Sequence, residues 1–347
     1  MRSSITLRFP MTILCALTLL SACGDDDDTL PATDAGRDAT VADLGSVDLS
    51  SVDLGYADLG NVDLGGLDAG LPPSDMGAPS CGTARPTLTG VRGTEGLVIA
   101  RDGTIYYSQS GGVGRVSIDG TNDDNWVTIA AASTVWGLAL DASNATLYVA
   151  SPMNSTIYAV VTATGASTEL SDMLNQPNGL TMGPDGALYV GDFGDDAVYR
   201  VDTASGATTE VTTSNVGSAN GVAFAPGDPN TLYVLSYSAG TLTALTLDAT
   251  HMETARRMVA GSLGSPDGIT LDDAGRFYIT DNGAGRVIQL AADGTAPDVI
   301  STGAIGSAAN LAFGVGALDC HDLYVTSSGV MVRIAVADAT AAAVPWQ

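Results

Sequence analysis

Asn178-Gly-Leu-Thr-Met-Gly-Pro-Asp-Gly-Ala-Leu-Tyr-Val-Gly191, continued by Ala197-Val-Tyr-Arg-Val201 and Thr208-Thr-Glu-Val-Thr-Thr213, is the stretch that decides the fold. Apolar and polar residues alternate in short runs, and each run is cut off by Gly, Pro or Asp. The spacing predicts strands over 180–182, 187–191, 197–201 and 208–213, with Pro184-Asp185-Gly186 as the first tight turn. Four short antiparallel strands in a row form one small sheet, and a single such sheet cannot bury its own faces.

The same pattern recurs along the chain. A Gly followed by alternating apolar residues stands at Gly96, Gly137, Gly179, Gly221 and Gly268, at spacings of 41, 42, 42 and 47 residues, and a sixth copy has Leu311 after Asn310. Second strands are predicted over 104–108, 146–150, 187–191, 231–235, 276–280 and 322–326. A period near 42 with no helical component indicates sheets arranged radially around a channel, which protects their open edges. The expectation is an all-β, six-bladed β-propeller with four strands per blade.

In such a ring the residue before each marker glycine opens the innermost strand, so these residues gather at one mouth of the channel. They are Glu95, Trp136, Asn178, Asn220, Asp267 and Asn310, and five of the six offer a side-chain oxygen. Asn-Gly and Asp-Gly are also common turn pairs, so Asn178, Asn220 and Asp267 could simply start strands. Glu95 and Trp136 occupy the same register and are not turn formers. Two carboxylates about 4 Å apart repel by about 4 kcal/mol at an effective dielectric near 20, and no Lys or Arg adjoins Glu95 or Asp267 in sequence. A divalent cation would remove that cost. Carboxylate and amide oxygens are hard donors and favour Ca²⁺, or Mg²⁺ and Mn²⁺, over zinc.

Thr94-Glu95-Gly96, Pro177-Asn178-Gly179, Ala219-Asn220-Gly221 and Pro266-Asp267-Gly268 follow one another in an order that resembles the SMP-30/gluconolactonase/luciferin-regenerating-enzyme family of calcium-dependent propeller hydrolases. The resemblance runs from about residue 89 to 336. It implies that Glu95, Asn178, Asn220 and Asp267 hold a metal, most naturally Ca²⁺. It also implies that Asn178 touches substrate and that Asp267 acts as the catalytic general base in hydrolysis of a lactone or related ester. Gln176 stands where sugar-lactone hydrolases of the family commonly carry a basic residue, and Leu97 replaces a proline, so a sugar-acid substrate is not implied. Trp136 reads either as a substrate-binding wall or as a packed plug, and Asn310 acquires no role. His251 and His321 lie off the ring and read as surface or loop residues. No group of Arg, Lys or His converges there to hold a quinone. The alternative function is a non-catalytic binding propeller similar to NHL-repeat proteins, which needs no metal.

The ends add a location. Arg2 and Arg8 precede an apolar run over 11–20 that is too short to span a bilayer, so residues 1–22 read as a signal peptide. Leu20-Ser-Ala-Cys23 resembles a bacterial lipobox. It implies acylation of Cys23 and a lipid anchor in the cell envelope, with the outer membrane the favoured placement. A plain secretory signal cut near Ala22 is the other reading. Residues 23–80 hold a run of Asp with Arg37 as the single cation, and Asp43, Asp48, Asp53, Asp58, Asp63 and Asp68 recur every five residues. That composition predicts an extended, disordered acidic tether, and its period is wrong for a nine-residue calcium-binding roll.

Residues 81–347 then form the propeller. Cys81 and Cys320 are the cysteines of this body, expected to form one disulfide that ties the ring shut, or else to remain two buried thiols. A net charge of −26 argues against nucleic acid as a partner. A small-molecule lactone or ester, the membrane through its anchor, and a monomeric state are the expectations.

Overall fold

In each repeat the second strand carries a tyrosine, and the way that ring is housed explains the blade. In the computed structural model, which describes residues 81–300, 306–336 and 338–339, Tyr106, Tyr148, Tyr189, Tyr233, Tyr278 and Tyr324 are all buried. Each lies opposite a modest side chain on the inner strand: Val98, Ala139, Thr181, Ala223, Thr270 and Ala312. The ring therefore has room to lean toward the next blade. Tyr189 meets Phe224 edge-on at 4.9 Å, Tyr233 meets Phe277 at 4.8 Å, and Tyr278 meets Phe313 at 4.9 Å. Such pairs add about 0.5–1.5 kcal/mol each beyond their buried area.

The sheets follow the expected plan. In blade 3, Pro177–Met182, Leu188–Asp192, Ala197–Val201 and Thr208–Glu210 pair antiparallel in that order. Every residue of Leu188–Asp192 is buried, whereas the outer Thr208–Glu210 is mostly exposed, because inner strands are covered on both faces by neighbouring blades. Inner strands Leu97–Ile99, Leu138–Leu140, Pro177–Met182, Ala219–Ala225, Pro266–Leu271 and Ala308–Phe313 line the channel in turn. Five sheets have four strands. Among the described residues the sixth has three, Ala308–Phe313, Asp322–Ser327 and Val330–Ala335. The six-bladed propeller is as expected, and strand limits differ by a few residues. In blades 3 to 6 the inner strands include the ring residues, whereas in blades 1 and 2 they start at Leu97 and Leu138, just after Glu95 and Trp136.

The marker glycines are explained by blade spacing. A Cβ on Gly96, Gly137, Gly179 or Gly221 would land on the carbonyl oxygen of Trp136, Asn178, Asn220 or Asp267, the ring residue of the next blade. Glycine is required there for close backbone approach. The ring closes from blade 6 to blade 1 through Thr326, whose hydroxyl donates to the Glu95 carbonyl. A second closure lies at the termini: Cys81–Ala84 runs parallel to Gly316–Leu318, and Cys81 is disulfide-bonded to Cys320 with 5.4 Å between their Cα atoms. The disulfide reading holds, and the free-thiol alternative falls.

Residues 1–22, Cys23 and the tether over 23–80 lie outside the described residues. Among the described residues no helix is long and apolar enough to cross a membrane.

Candidate functional site

The ring residues are set by backbone irregularities. The pairing of inner with second strand slips between Pro177 and Leu180, Ala219 and Val222, Pro266 and Ile269, and Ala308 and Leu311. Asn178, Asn220, Asp267 and Asn310 each sit inside one of these slips. A bulge at that point re-aims a side chain that the pleat would otherwise direct elsewhere. Asn178, Asn220 and Asp267 are therefore strand residues, none with a positive φ, which removes the turn-former reading. They are 5%, 3% and 5% exposed, a burial that polar side chains tolerate only with partners.

Aspartates at the strand ends hold the loops that deliver them. Asp192, fully buried at the end of the second strand of blade 3, accepts backbone N–H groups from Asn175 (2.8 Å), Gln176 (3.0 Å), Gly194 (3.0 Å) and Asp195 (3.0 Å). It pins the loop running into Asn178. Asp281 does the same in blade 5, accepting from Ser265 N (3.0 Å) just before Asp267 and from Arg286 Nε (2.9 Å). Asp196 accepts from Asn215 Nδ2 (2.7 Å) and from the Ser218 backbone, bracing the approach to Asn220.

Electrostatically, the ring is two acids without a cation. Asp267 Oδ2 accepts from Asn282 Nδ2 at 2.9 Å, and the Asn220 side chain bonds the same carboxylate. Burial pushes the Asp267 carboxyl well above its usual range, the charge of Glu95 pushes it further, and the two amides only partly offset this. Burial lifts Glu95 to about 7. Among the described residues no arginine or histidine contributes to either group. His251 instead sits 3.5 Å from Asp185 and His321 3.1 Å from Asp319, off the ring as expected. The other grouping of metal-type ligand atoms among the described residues, Cys81, Cys320 and His321, contains the disulfide, whose sulfurs are not thiolates. Glu95, Asp267 and Asn220, with Asn178 at the equivalent station, form an all-oxygen donor set that fits a hard divalent cation.

Three mouth residues escaped the sequence reading. Phe193, Tyr237 and Asn282 each follow the second strand of their blade and donate their backbone N–H to the carbonyl two residues before the ring residue: Gln176 (2.9 Å), Ser218 (3.1 Å) and Ser265 (2.9 Å). They are repeat-equivalent, and alignment of the position after each second strand would have exposed them. Trp136 is half-buried and packs edge-on against Phe193 at 6.2 Å, and Phe193 in turn against Tyr237 at 5.6 Å. A fully packed plug would leave Trp136 no solvent-facing surface. Asn310 spends its amide oxygen on the Leu311 backbone at 2.7 Å.

The profile of the SMP-30/gluconolactonase/LRE-like region matches residues 93–329. A solved gluconolactonase from Xanthomonas campestris superposes with a TM-score of 0.60 at 22% identity, covering 75% of this chain and 96% of that one. The calcium-binding protein regucalcin from Agrobacterium tumefaciens gives 0.59 at 21% identity, with 77% and 96% covered. A chain of the nidogen/laminin complex gives 0.56 at 19%, with 68% and 90% covered. No curated protein matches the chain. At these identities the solved structures establish the propeller and nothing finer.

Proposed function

This chain belongs to the SMP-30/gluconolactonase/LRE-like family, and from that premise we propose that it hydrolyses a lactone or related ester at the Glu95, Asn178, Asn220 and Asp267 ring with a divalent cation, Ca²⁺ first. The observation that carries this reading is the buried Asp267 facing Glu95 with no cationic side chain among the described residues to compensate either. Two uncompensated acids at one ring only destabilise it unless a cation binds between them. Glu95, Asp267 and Asn220 would hold the cation, with Asn178 touching it or the substrate. When bound, the cation supplies Lewis acidity toward the acyl carbonyl.

The protein's own groups do the rest. Asn282 and Asn220 fix the Asp267 carboxylate by hydrogen bonds, so that a free lone pair can take a proton from an attacking water. The water oxygen joins the acyl carbon, the ring C–O bond breaks, and the proton passes to the departing alkoxide. A hydroxy acid leaves.

Hydrolysis of a lactone panel, followed by acid release, tests this. Chelation is expected to abolish turnover and added Ca²⁺ to restore it. Turnover unaffected by chelator sinks the metal-dependent mechanism, and absence of both turnover and cation binding leaves the binding-propeller alternative.

We further place the protein at a bacterial cell envelope, anchored through acylated Cys23, a reading supported by the charged, apolar and Leu-Ser-Ala-Cys segments of the leader. Cys23→Ala is expected to move the protein from the membrane pellet to the soluble fraction. Retention in the pellet would defeat the anchor.

A further inference from the structure

The mouth of the channel is chemically two-sided. Blade 5 puts Asn282 at the station after its second strand, and that side chain reaches the Asp267 carboxylate at 2.9 Å. Blades 3 and 4 put Phe193 and Tyr237 at the same station, held by the same backbone hydrogen bond. A side chain leaving that station can therefore reach the reacting region, and in blades 3 and 4 what arrives there is aromatic. Trp136, which occupies the ring position of blade 2 itself, extends the series: Trp136, Phe193 and Tyr237 pack edge to face at 6.2 and 5.6 Å, with interplanar angles of 72° and 63°. The three are half-buried, unlike the core aromatics Tyr189, Phe224 and Phe277, so each keeps surface for a ligand.

A polyhydroxylated lactone would ask this wall for hydrogen bonds that three aromatic faces do not supply, Tyr237 contributing a single hydroxyl. Unpaired hydroxyls buried against it are penalised. Anionic groups fare no better. The chain contains no lysine, and Arg286 of blade 5 and Arg256 of blade 4 are already engaged, the first by Asp281 and the second by Glu253 and the Ser214 carbonyl.

On the hydrolase reading above, we propose that Trp136, Phe193 and Tyr237 form the specificity wall of the site and select uncharged lactones or esters that carry an aryl or branched alkyl group on the carbon bonded to the leaving oxygen. The polar side of blades 5 and 1 faces the carbonyl, and the aromatic side of blades 2 to 4 takes the substituent. This is the division of labour expected of a pocket in which a few polar groups orient an otherwise apolar ligand.

The test uses γ-phenyl-γ-butyrolactone and glucono-δ-lactone as substrates, and the non-hydrolysable lactam 5-phenyl-2-pyrrolidinone as a calorimetric ligand, all with the Ca²⁺-supplemented protein. The phenyl lactone is expected to be preferred by roughly tenfold or more in kcat/KM, in line with the discrimination an apolar pocket gives when its apolar group goes unfilled. The Phe193→Ala, Tyr237→Ala double variant is expected to raise its KM at least roughly tenfold with kcat little changed, and Tyr237→Phe to retain parental KM. Preference for the gluconolactone, or a KM insensitive to the double variant, overturns the proposal. Lactam binding separates it from the hydrolase reading. If neither lactone is hydrolysed but the lactam binds and the double variant loses it, the wall stands and hydrolysis falls. If the lactam fails to bind, or binds the double variant equally, the wall falls whatever the activity.

Discussion

Asp267→Ala is expected to abolish stoichiometric cation binding and to lower kcat/KM by roughly 10³-fold or more, since it removes a proton acceptor and one of the two charges in the ring. Glu95→Gln, which keeps the shape and removes the other charge, is expected to weaken cation binding while leaving proton transfer to Asp267 in place. Calorimetric Ca²⁺ titration of parent and variants checks both. Parental affinity in Asp267→Ala would show that the cation, if any, binds elsewhere.

The fold should survive, because burial opposes ionisation of both groups. The sign follows from linkage. The Glu95 carboxyl is raised from 4.5 to about 7 in the folded protein, so between those pH values the unfolded chain sheds its proton first. Stability of the chelated protein must fall as pH rises through that window, and Asp267, raised in the same sense, extends the fall upward. Added Ca²⁺ should reverse the loss, and its affinity should climb with pH over the same range because it displaces protons. Melting curves in chelator at pH 5 and pH 8 decide this: a chelated protein more stable at pH 8 would contradict the raised pair of acids.

The second large effect concerns closure. Cys81 and Cys320 are 239 residues apart in sequence, so their bond constrains nearly the whole propeller in its unfolded state. A loop of that length corresponds to about 5 kcal/mol on the chain-entropy model, and the Cys81→Ser, Cys320→Ser variant is expected to melt roughly 10 °C lower in consequence. The N-terminal strand Cys81–Ala84, which holds Gly316–Leu318 in a two-stranded sheet, should be the first segment to become protease-sensitive. A variant with unchanged melting temperature would mean that the blade-to-blade packing alone closes the ring.

The repeat and its two periods were legible because they are local. Alternation within a strand, Pro184-Asp185-Gly186 at a turn and a recurrence near 42 residues are properties of neighbouring residues, and together they specify blades and their number. The ring residues were legible for the same reason, since a repeat makes one register equivalent in every copy. Burial and electrostatics were not. Only the assembled ring places Glu95 where its charge acts on Asp267, residues separated by about half of the chain.

Asn282 stayed hidden because its role depends on a bulge that turns Asp267 toward it, and a bulge is a slip between two strands that neither strand declares alone. Phe193 and Tyr237 went unread, and it is three neighbouring blades that set them and Trp136 edge to face. The marker glycines show the division most plainly. Their sequence recurrence announced the blades, but their cause, the carbonyl of the next blade where a Cβ would lie, exists only between sheets. Sequence by itself therefore determined what each blade is, because hydrogen-bonded pairing and pleat act over a few residues. The tertiary structure decided what the blades do together, because charge, desolvation and close packing act across the channel between residues that the chain keeps far apart.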